Sequence, residues 1–411
     1  MKIDKIKDLI QSCHVNFLLG SGISRPFLSR LGNIEILLTK LSKRKDLDQG
    51  KIERIKSSIY KVYFAEIMWP NHPEYEFIEK KDEELKGTKE AFDLVIKNYH
   101  NFLNYLNEIM LFRYSTILNK QVNLFTTNID LFLEDALDET GYEFNDGFRG
   151  RMTPVYDLSN FQKSYAKTSL HYDNRSEIPV FNLLKLHGSV NWKQDEGEIC
   201  LSNLTNMKKV KKAIDSLCKE AFLDLKGVKL LKHLTAQIED GDDMTYDGCF
   251  ENFIKAYEKL IIVNPTKEKF ERTLFDEKYY ELLRIYANSL EKENAILFCL
   301  GFSFADEHIR EITLRAANSN PTLQIIVFAY DSEAKNAIKK ELKIGTQKPR
   351  NNNVKVIDPM SFIRSNYSDP EDIEEARNRI EIFDFETLLD EIFHPVSKRI
   401  RIKTKANDIA E

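Results

Sequence analysis

The sequence predicts an α/β fold: a doubly wound, Rossmann-like, mostly parallel sheet with helical insertions. Three observations predict it. Short apolar runs recur as continuous blocks, the pattern of strands buried on both faces. In the second half of the chain, helical patterns separate those runs, and strand–helix–strand repetition implies parallel strands joined by crossovers. Polar clusters then come directly after the runs, at the edge where an open parallel sheet holds ligands.

Taken in order, the chain begins "MKIDKIKDLIQS", which reads as a short amphipathic helix and lacks the apolar core of a signal peptide. The strand candidates are "VNFLLG" (15–20), "VNLFTTN" (122–128), "FNLLKLHG" (181–188), "KLIIVNP" (259–265), "AILFCLG" (295–301), "QIIVFAYD" (324–331) and, more weakly, "VKVID" (354–358). "EKYYELLRIYANSLEK" and "DEHIREITLRAANSN" supply helices between the last strong runs. In the long gap after the first run, Ile52, Ile55, Ile59 and Tyr63 recur at helical spacing. So do Phe92, Val95, Tyr99, Phe102, Leu106 and Ile109. Such stripes are packing faces, so 40–120 reads as a helical insertion. A second insertion, 193–255, carries "MKKVKKAIDSLCKEAFLDLKGVKLLKHL" and the acidic loop "EDGDDMTYDG". That loop lacks the spacing and closing glutamate of a calcium loop and reads as solvated. "GTQKPRNNN" (345–353) is a polar loop of turn formers.

Composition narrows the class. Hydrophobic residues at 42% and charged residues at 30% describe an ordinary globular protein. No apolar run approaches the ~20 residues that cross a bilayer, so a cytoplasmic protein with no membrane contact is expected. Cys13, Cys200, Cys218, Cys249 and Cys299 form no C-x-x-C pair, which argues against a disulfide framework and against structural zinc. A net charge of −5 leaves no general footprint for nucleic acid, and direct nucleic-acid binding is not expected. The basic run "SKRIRIKTK" reads as a solvated tail or edge strand, with a partner contact as the alternative.

Four clusters carry candidate chemistry. Gly20-Ser21-Gly22-Ile23-Ser24 comes after the first strand. Glycines there allow a sharp turn or the close approach of an anion, and the run lacks both the third glycine of a dinucleotide fingerprint and the lysine of a P-loop. "TTNID" (Thr126 to Asp130), "KLHGSVNW" (Lys185 to Trp192) and "GFSFADEHI" (Gly301 to Ile309) end three other strands. Each has a plainer reading: Asn128 or Asp130 capping the next helix, His187 as a satisfied core histidine, Ser303 as a cap.

"GSGIS", "TTNID", "LHG" and "GFSFAD", in this order, resemble the SIR2 (sirtuin-type) NAD-binding family over about residues 14–331. The style of "TTNIDLFLEDAL", "KLHGSVNW" and "LGFSFADEHI" is similar to the bacterial antiphage branch, most like the SIR2 subunit of a SIR2–HerA system. The resemblance implies a SIR2-like NAD-binding domain over 1–335; length and apolar content, rather than any motif, make the helical insertions and the C-terminal extension 336–411 the expected assembly contacts. The resemblance implies NAD⁺ as substrate, hydrolysed to nicotinamide and ADP-ribose. It further implies a HerA-type ATPase partner, and because an unrestrained NAD⁺ hydrolase would kill its host, control through a homo-oligomer is expected. Catalysis falls to Asn128 and His187, with His187 as base, and to Asp130 beside the nicotinamide. Gly20, Ser21, Gly22 and Ser24 would contact phosphates, and Thr127 joins the cofactor-binding set. Gly301 and Ser303 match a second phosphate and ribose loop, while Asp331 would meet the adenosine ribose or only cap the segment after it. The deacetylating members' zinc ribbon of two C-x-x-C pairs is missing, so no zinc is expected and peptide deacylation is in doubt. The alternatives are an NAD-dependent protein deacylase and a non-catalytic NAD or ADP-ribose-binding assembly module.

Overall fold

The computed structural model describes residues 1–29, 34–44, 46–79, 85–115, 117–170, 174–225, 231–239, 248–263, 273–345 and 349–410. Most of the acidic loop 239–248, part of the loop 345–353 and the end of the run 259–265 lie outside them.

Helix α1 (Ile3–Ser12) buries Ile3, Ile6, Leu9 and Ile10, the apolar face its pattern implies. The central sheet comes next. Its strands are β1 (His14–Leu19), β2 (Gln121–Thr126), β3 (Phe144–Asn145), β8 (Val180–Lys185), β11 (Ala295–Leu300), β12 (Gln324–Phe328) and β13 (Val354–Ile357). They lie in the order β13-β12-β11-β1-β2-β8-β3, and every pairing is parallel. Apart from it, β6 (Tyr165–Thr168) and β7 (Arg175–Ile178) pair as an antiparallel ribbon.

Both faces of the central sheet are covered, which explains why its strands read as unbroken apolar runs. On one face, Phe17, Leu124, Leu183, Phe298 and Phe328 join a core completed by α3 (Gln49–Tyr63), α4 (Lys89–Leu111) and the C-terminal helices. On the other, Leu18, Phe125, Leu184, Leu297 and Val327 meet α9 (Thr273–Glu291), α10 (Glu307–Ser319) and α11 (Ser332–Glu341). Alternate side chains feeding two separate cores define a three-layer, doubly wound architecture.

Register is marked by asparagine. Asn16, Asn123, Asn182 and Asn145 align across β1, β2, β8 and β3. Asn123 Nδ2 donates to Asn16 Oδ1 at 2.8 Å and Asn182 Nδ2 to Asn123 Oδ1 at 2.9 Å. A one-residue slip would move this polar rung into an apolar layer, so the ladder disfavours it.

Three expectations need correction. The described part of the run 259–265, residues 259–263, forms no strand of the sheet. Ile262 makes only an isolated antiparallel bridge to Gly188, and the segment lies across the loop after β8. The insertion 193–255 is not purely helical. It opens with strands β9 (Trp192–Asp195) and β10 (Glu198–Leu201), which join β4 (Phe148–Arg149) and β5 (Val155–Tyr156) in a small antiparallel sheet. Trp192 and Tyr156, buried with ring centroids 4.8 Å apart, hold that sheet together. The basic run 397–405 is neither tail nor edge strand. It falls within helix α15 (His394–Ala410), whose Val396, Ser397 and Ile400 are buried.

Candidate functional site

Because the sheet is parallel, the loops after β1, β2, β8, β11 and β12 all leave from one edge. The chain runs outward from β1 through β2 to β8, then returns to β11 on the other side of β1. The β1/β11 boundary is therefore the topological switch point, where open α/β sheets bind ligands.

Three glycines meet at that boundary. A Cβ on Gly20 would stand 2.5 Å from Gly301 O, and one on Gly22 would stand 2.7 Å from Gly301 Cα. Gly301 itself has φ +61°, in the left-handed region. The backbones approach each other here, and the N–H groups of Gly20 and Gly22 donate to Leu300 O (3.0 Å) and Gly301 O (3.1 Å). The close approach that requires glycine is thus between two loops of the protein, and these two N–H groups are already engaged. Ser21 and Ser303 are exposed beside them.

Ser24 lies deeper than a phosphate contact implies. It is 1% exposed, and its hydroxyl has one donor and two acceptor positions. It donates to Asp130 Oδ2 at 2.8 Å, which leaves it to accept from Tyr99 OH (3.0 Å) and Asn128 Nδ2 (3.3 Å). All three positions are filled inside the protein.

Asn128 is also buried. Its Nδ2 donates to Gly20 O at 3.2 Å as well as to Ser24, which fixes the orientation of the amide. Its Oδ1 is buried with no hydrogen-bond partner among the described residues. Helix α5 (Phe132–Thr140) has Leu131 at its N-cap with no side-chain cap bond, so Asn128 does not cap it. The amide is an oriented acceptor without a donor, which is uncommon for a buried polar group.

Asp130 is 4% exposed. Burial pushes its carboxyl up to about 6, against the Lys185 ammonium and the Ser24 hydroxyl, which lower it; nearby Glu134 adds to the rise. Lys185 Nζ donates to the Asp130 carbonyl and pairs with Glu134 Oε1 at 2.9 Å, where Ser189 Oγ also donates at 3.3 Å. Burial, with Asp130 adding to it, raises the phenols of Tyr63 and Tyr99 far above their usual range.

His187 leaves β8 as Asn128 leaves β2. Thr126 and Lys185 are register partners on these adjacent strands, and each candidate residue lies two positions further on. His187 is neither fully buried nor unpaired: its Nε2 lies 3.2 Å from Asp306 Oδ2. Thr127 is half-buried next to Asn128, its N–H donating to Leu19 O at 3.2 Å. Asp331 caps α11, accepting from Ala334 N at 2.7 Å, which is its plainer reading.

Tyr99, Lys185, Glu134 and Asp306 were not singled out by the sequence reading. Lys185 carried a signal, a charge inside the apolar run "FNLLKLHG". Tyr99 was hidden in an apolar stripe, where its hydroxyl looked like packing. Among the described residues, no group of three or more His, Cys, Asp or Glu side chains could hold a metal ion, and no helix is long and apolar enough to cross a membrane.

Fold and rim together define a doubly wound α/β protein in which a buried amide and a carboxyl are joined through Ser24, with an imidazole at the end of the neighbouring strand, all on the edge where parallel sheets bind ligands. No protein-family model matches the chain, and no curated protein matches it significantly. Among solved structures, a chain from "Structural Basis for the Mechanism and Regulation of Sir2 Enzymes" aligns over 83% of this chain and 97% of its own length, with 10% identity and a TM-score of 0.32. At that similarity the fold class rests on the strand order and pairings given above.

Proposed function

We propose that this chain is an NAD⁺ hydrolase that cleaves the nicotinamide–ribose bond to give nicotinamide and ADP-ribose. In line with the motif resemblance, we read it as acting in antiphage defence by depleting NAD⁺. Control would come from homo-oligomerisation or a HerA-type ATPase partner. The observation that carries the reading is the buried, oriented Asn128 amide, whose Oδ1 acceptor is enclosed without a donor among the described residues, at the strand-end edge where parallel sheets bind ligands.

The chemistry suits such a set. Nicotinamide departs from NAD⁺ as a neutral molecule, so the leaving group needs no strong general acid, unlike the paired carboxylates of sugar hydrolysis. The remaining tasks are to hold a cationic, oxocarbenium-like ribose, to place a water and to take its proton. Asn128 Oδ1 would accept from that water or from a ribose hydroxyl. His187, with an ordinary value near ~6.5, suits proton transfer around neutrality. The Asp130 carboxyl, held by Ser24, would face the nicotinamide side. Ser21 and Ser303 would reach the phosphates across the β1/β11 boundary, with the glycines setting the spacing of their loops.

The test is chromatography of NAD⁺ incubated with the purified chain and no peptide, alone and with an ATPase partner. The expected result is stoichiometric nicotinamide and ADP-ribose, with Asn128→Ala or His187→Ala lowering turnover by about 10²-fold or more. Wild-type turnover in both variants would overturn the site. Consumption of NAD⁺ only in proportion to an acylated peptide would make the chain a deacylase instead.

A further inference from the structure

We propose that Asp306 is the positioning residue for His187, tying the imidazole to the N-terminus of α10. This rests on the reading of His187 as the base and adds the residue that orients it.

One carboxylate makes both contacts. Asp306 is the N-cap of α10, its Oδ1 accepting from Ile309 N at 3.1 Å. Its other oxygen, Oδ2, lies 3.2 Å from His187 Nε2. The cap fixes the carboxylate, so the oxygen offered to the imidazole is not a mobile surface charge. The two side chains are only 9% and 16% exposed, where water screens a charge poorly.

The imidazole is held from the backbone side as well. His187 O accepts from Val263 N at 2.8 Å. Gly188 comes next at φ +74°, and a Cβ there would stand 2.2 Å from Ile261 O. Among the described residues, the titratable groups beside the ring include the Asp306 carboxylate, from the loop before α10, and the Tyr279 phenol of α9. The Tyr279 ring centroid is 6.4 Å from that of His187, and Tyr280 stands behind it. Burial raises the Tyr279 phenol, with the Asp306 charge adding to it, so Tyr279 stays neutral.

Nε2 stands at ion-pair distance from Asp306 Oδ2 without an aligned hydrogen bond, and the tautomer this carboxylate favours carries the neutral ring's proton on Nε2, with the lone pair on Nδ1. A proton taken up at Nδ1 gives an imidazolium whose Nε2–H remains beside the carboxylate. Asp306 therefore makes the ring more basic and selects one tautomer, and it need not exchange a proton itself.

The test separates the cap from the charge. Asn and Ser cap helices about as well as Asp, so Asp306→Asn and Asp306→Ser keep α10 while removing the carboxylate. The His187 imidazole is titrated by NMR in the full chain, its signal identified by its absence in His187→Gln. The expected result is a His187 pKa lower by about one unit or more in both variants. The acidic limb of kcat/KM for NAD⁺ should move down by the same amount, and kcat should fall at least about tenfold. A His187 titration unchanged in both variants overturns the proposal. If the titration shifts and the wild-type chain does not cleave NAD⁺, the pairing stands and the hydrolase reading fails.

Discussion

At the scale of single residues, the site is a problem of satisfied bonds. Ser24 uses its donor and both acceptor positions, Asn128 uses both amide protons, and the Asn128 Oδ1 acceptor remains. Asp130 provides a handle on this arrangement. Its folded-state value of about 6 lies above the unfolded value near ~3.9. The native state therefore keeps a proton that the unfolded chain releases between those values. Stability is greater at the low end of that window and falls as pH rises through it, by up to about 3 kcal/mol. Urea midpoints taken across the window should show this slope, to which Asp135 and Asp146 add because burial raises both to about 6, and Asp130→Asn should reduce it. A slope unchanged in the variant would place the titration elsewhere. Asn128, Asp130 and His187 were legible in the sequence because each lies at the end of an apolar run. The bonds of Ser24 to Tyr99 and Asp130 were not, because their partners lie 75 and 106 residues away and meet only when α4 covers the sheet.

At the scale of elements, the loops after β1 and β11 act as a single unit. Gly20, Gly22 and Gly301 permit a backbone contact that no side chain could enter. Gly301→Ala would put a Cβ 2.7 Å from Ile23 N at φ +61°, so it should cost about 1–3 kcal/mol in chemical denaturation and weaken NAD⁺ binding with it. A variant as stable as the parent would show that these loops part readily. The sequence announced the two loops as glycine-containing strand ends, but whether the glycines served an anion or each other depended on which strands were neighbours. The run 259–265 misled for a related reason. Apolar continuity marks burial, and Ile261 and Ile262 are buried against the loop after β8 without joining the sheet. The strands of the small antiparallel sheet were invisible because none exceeds four residues.

At the scale of the whole molecule, six of the sheet's seven strands fall on runs quoted from the sequence, and the seventh, β3, is a two-residue edge. The sheet's two faces were legible in those runs because a strand covered on both sides has no polar alternation to break its pattern. The role of 336–411 was harder to read. It supplies β13 and places Phe393 against Phe17 and Phe298, with centroids 5.7 and 6.1 Å away. Thus the last helices press on the strand that leads into Gly20. The C-terminal region therefore packs beneath the proposed site, a route by which assembly contacts could reach it. The central claim is that one dinucleotide spans the β1/β11 boundary with its nicotinamide ribose at Asn128. The most direct measurement is a crystal structure of the His187→Ala chain with NAD⁺. We predict the pyrophosphate between Ser21 and Ser303 and a ribose hydroxyl or ordered water bound to Asn128 Oδ1. NAD⁺ bound elsewhere, with that oxygen still unpartnered, would contradict the account.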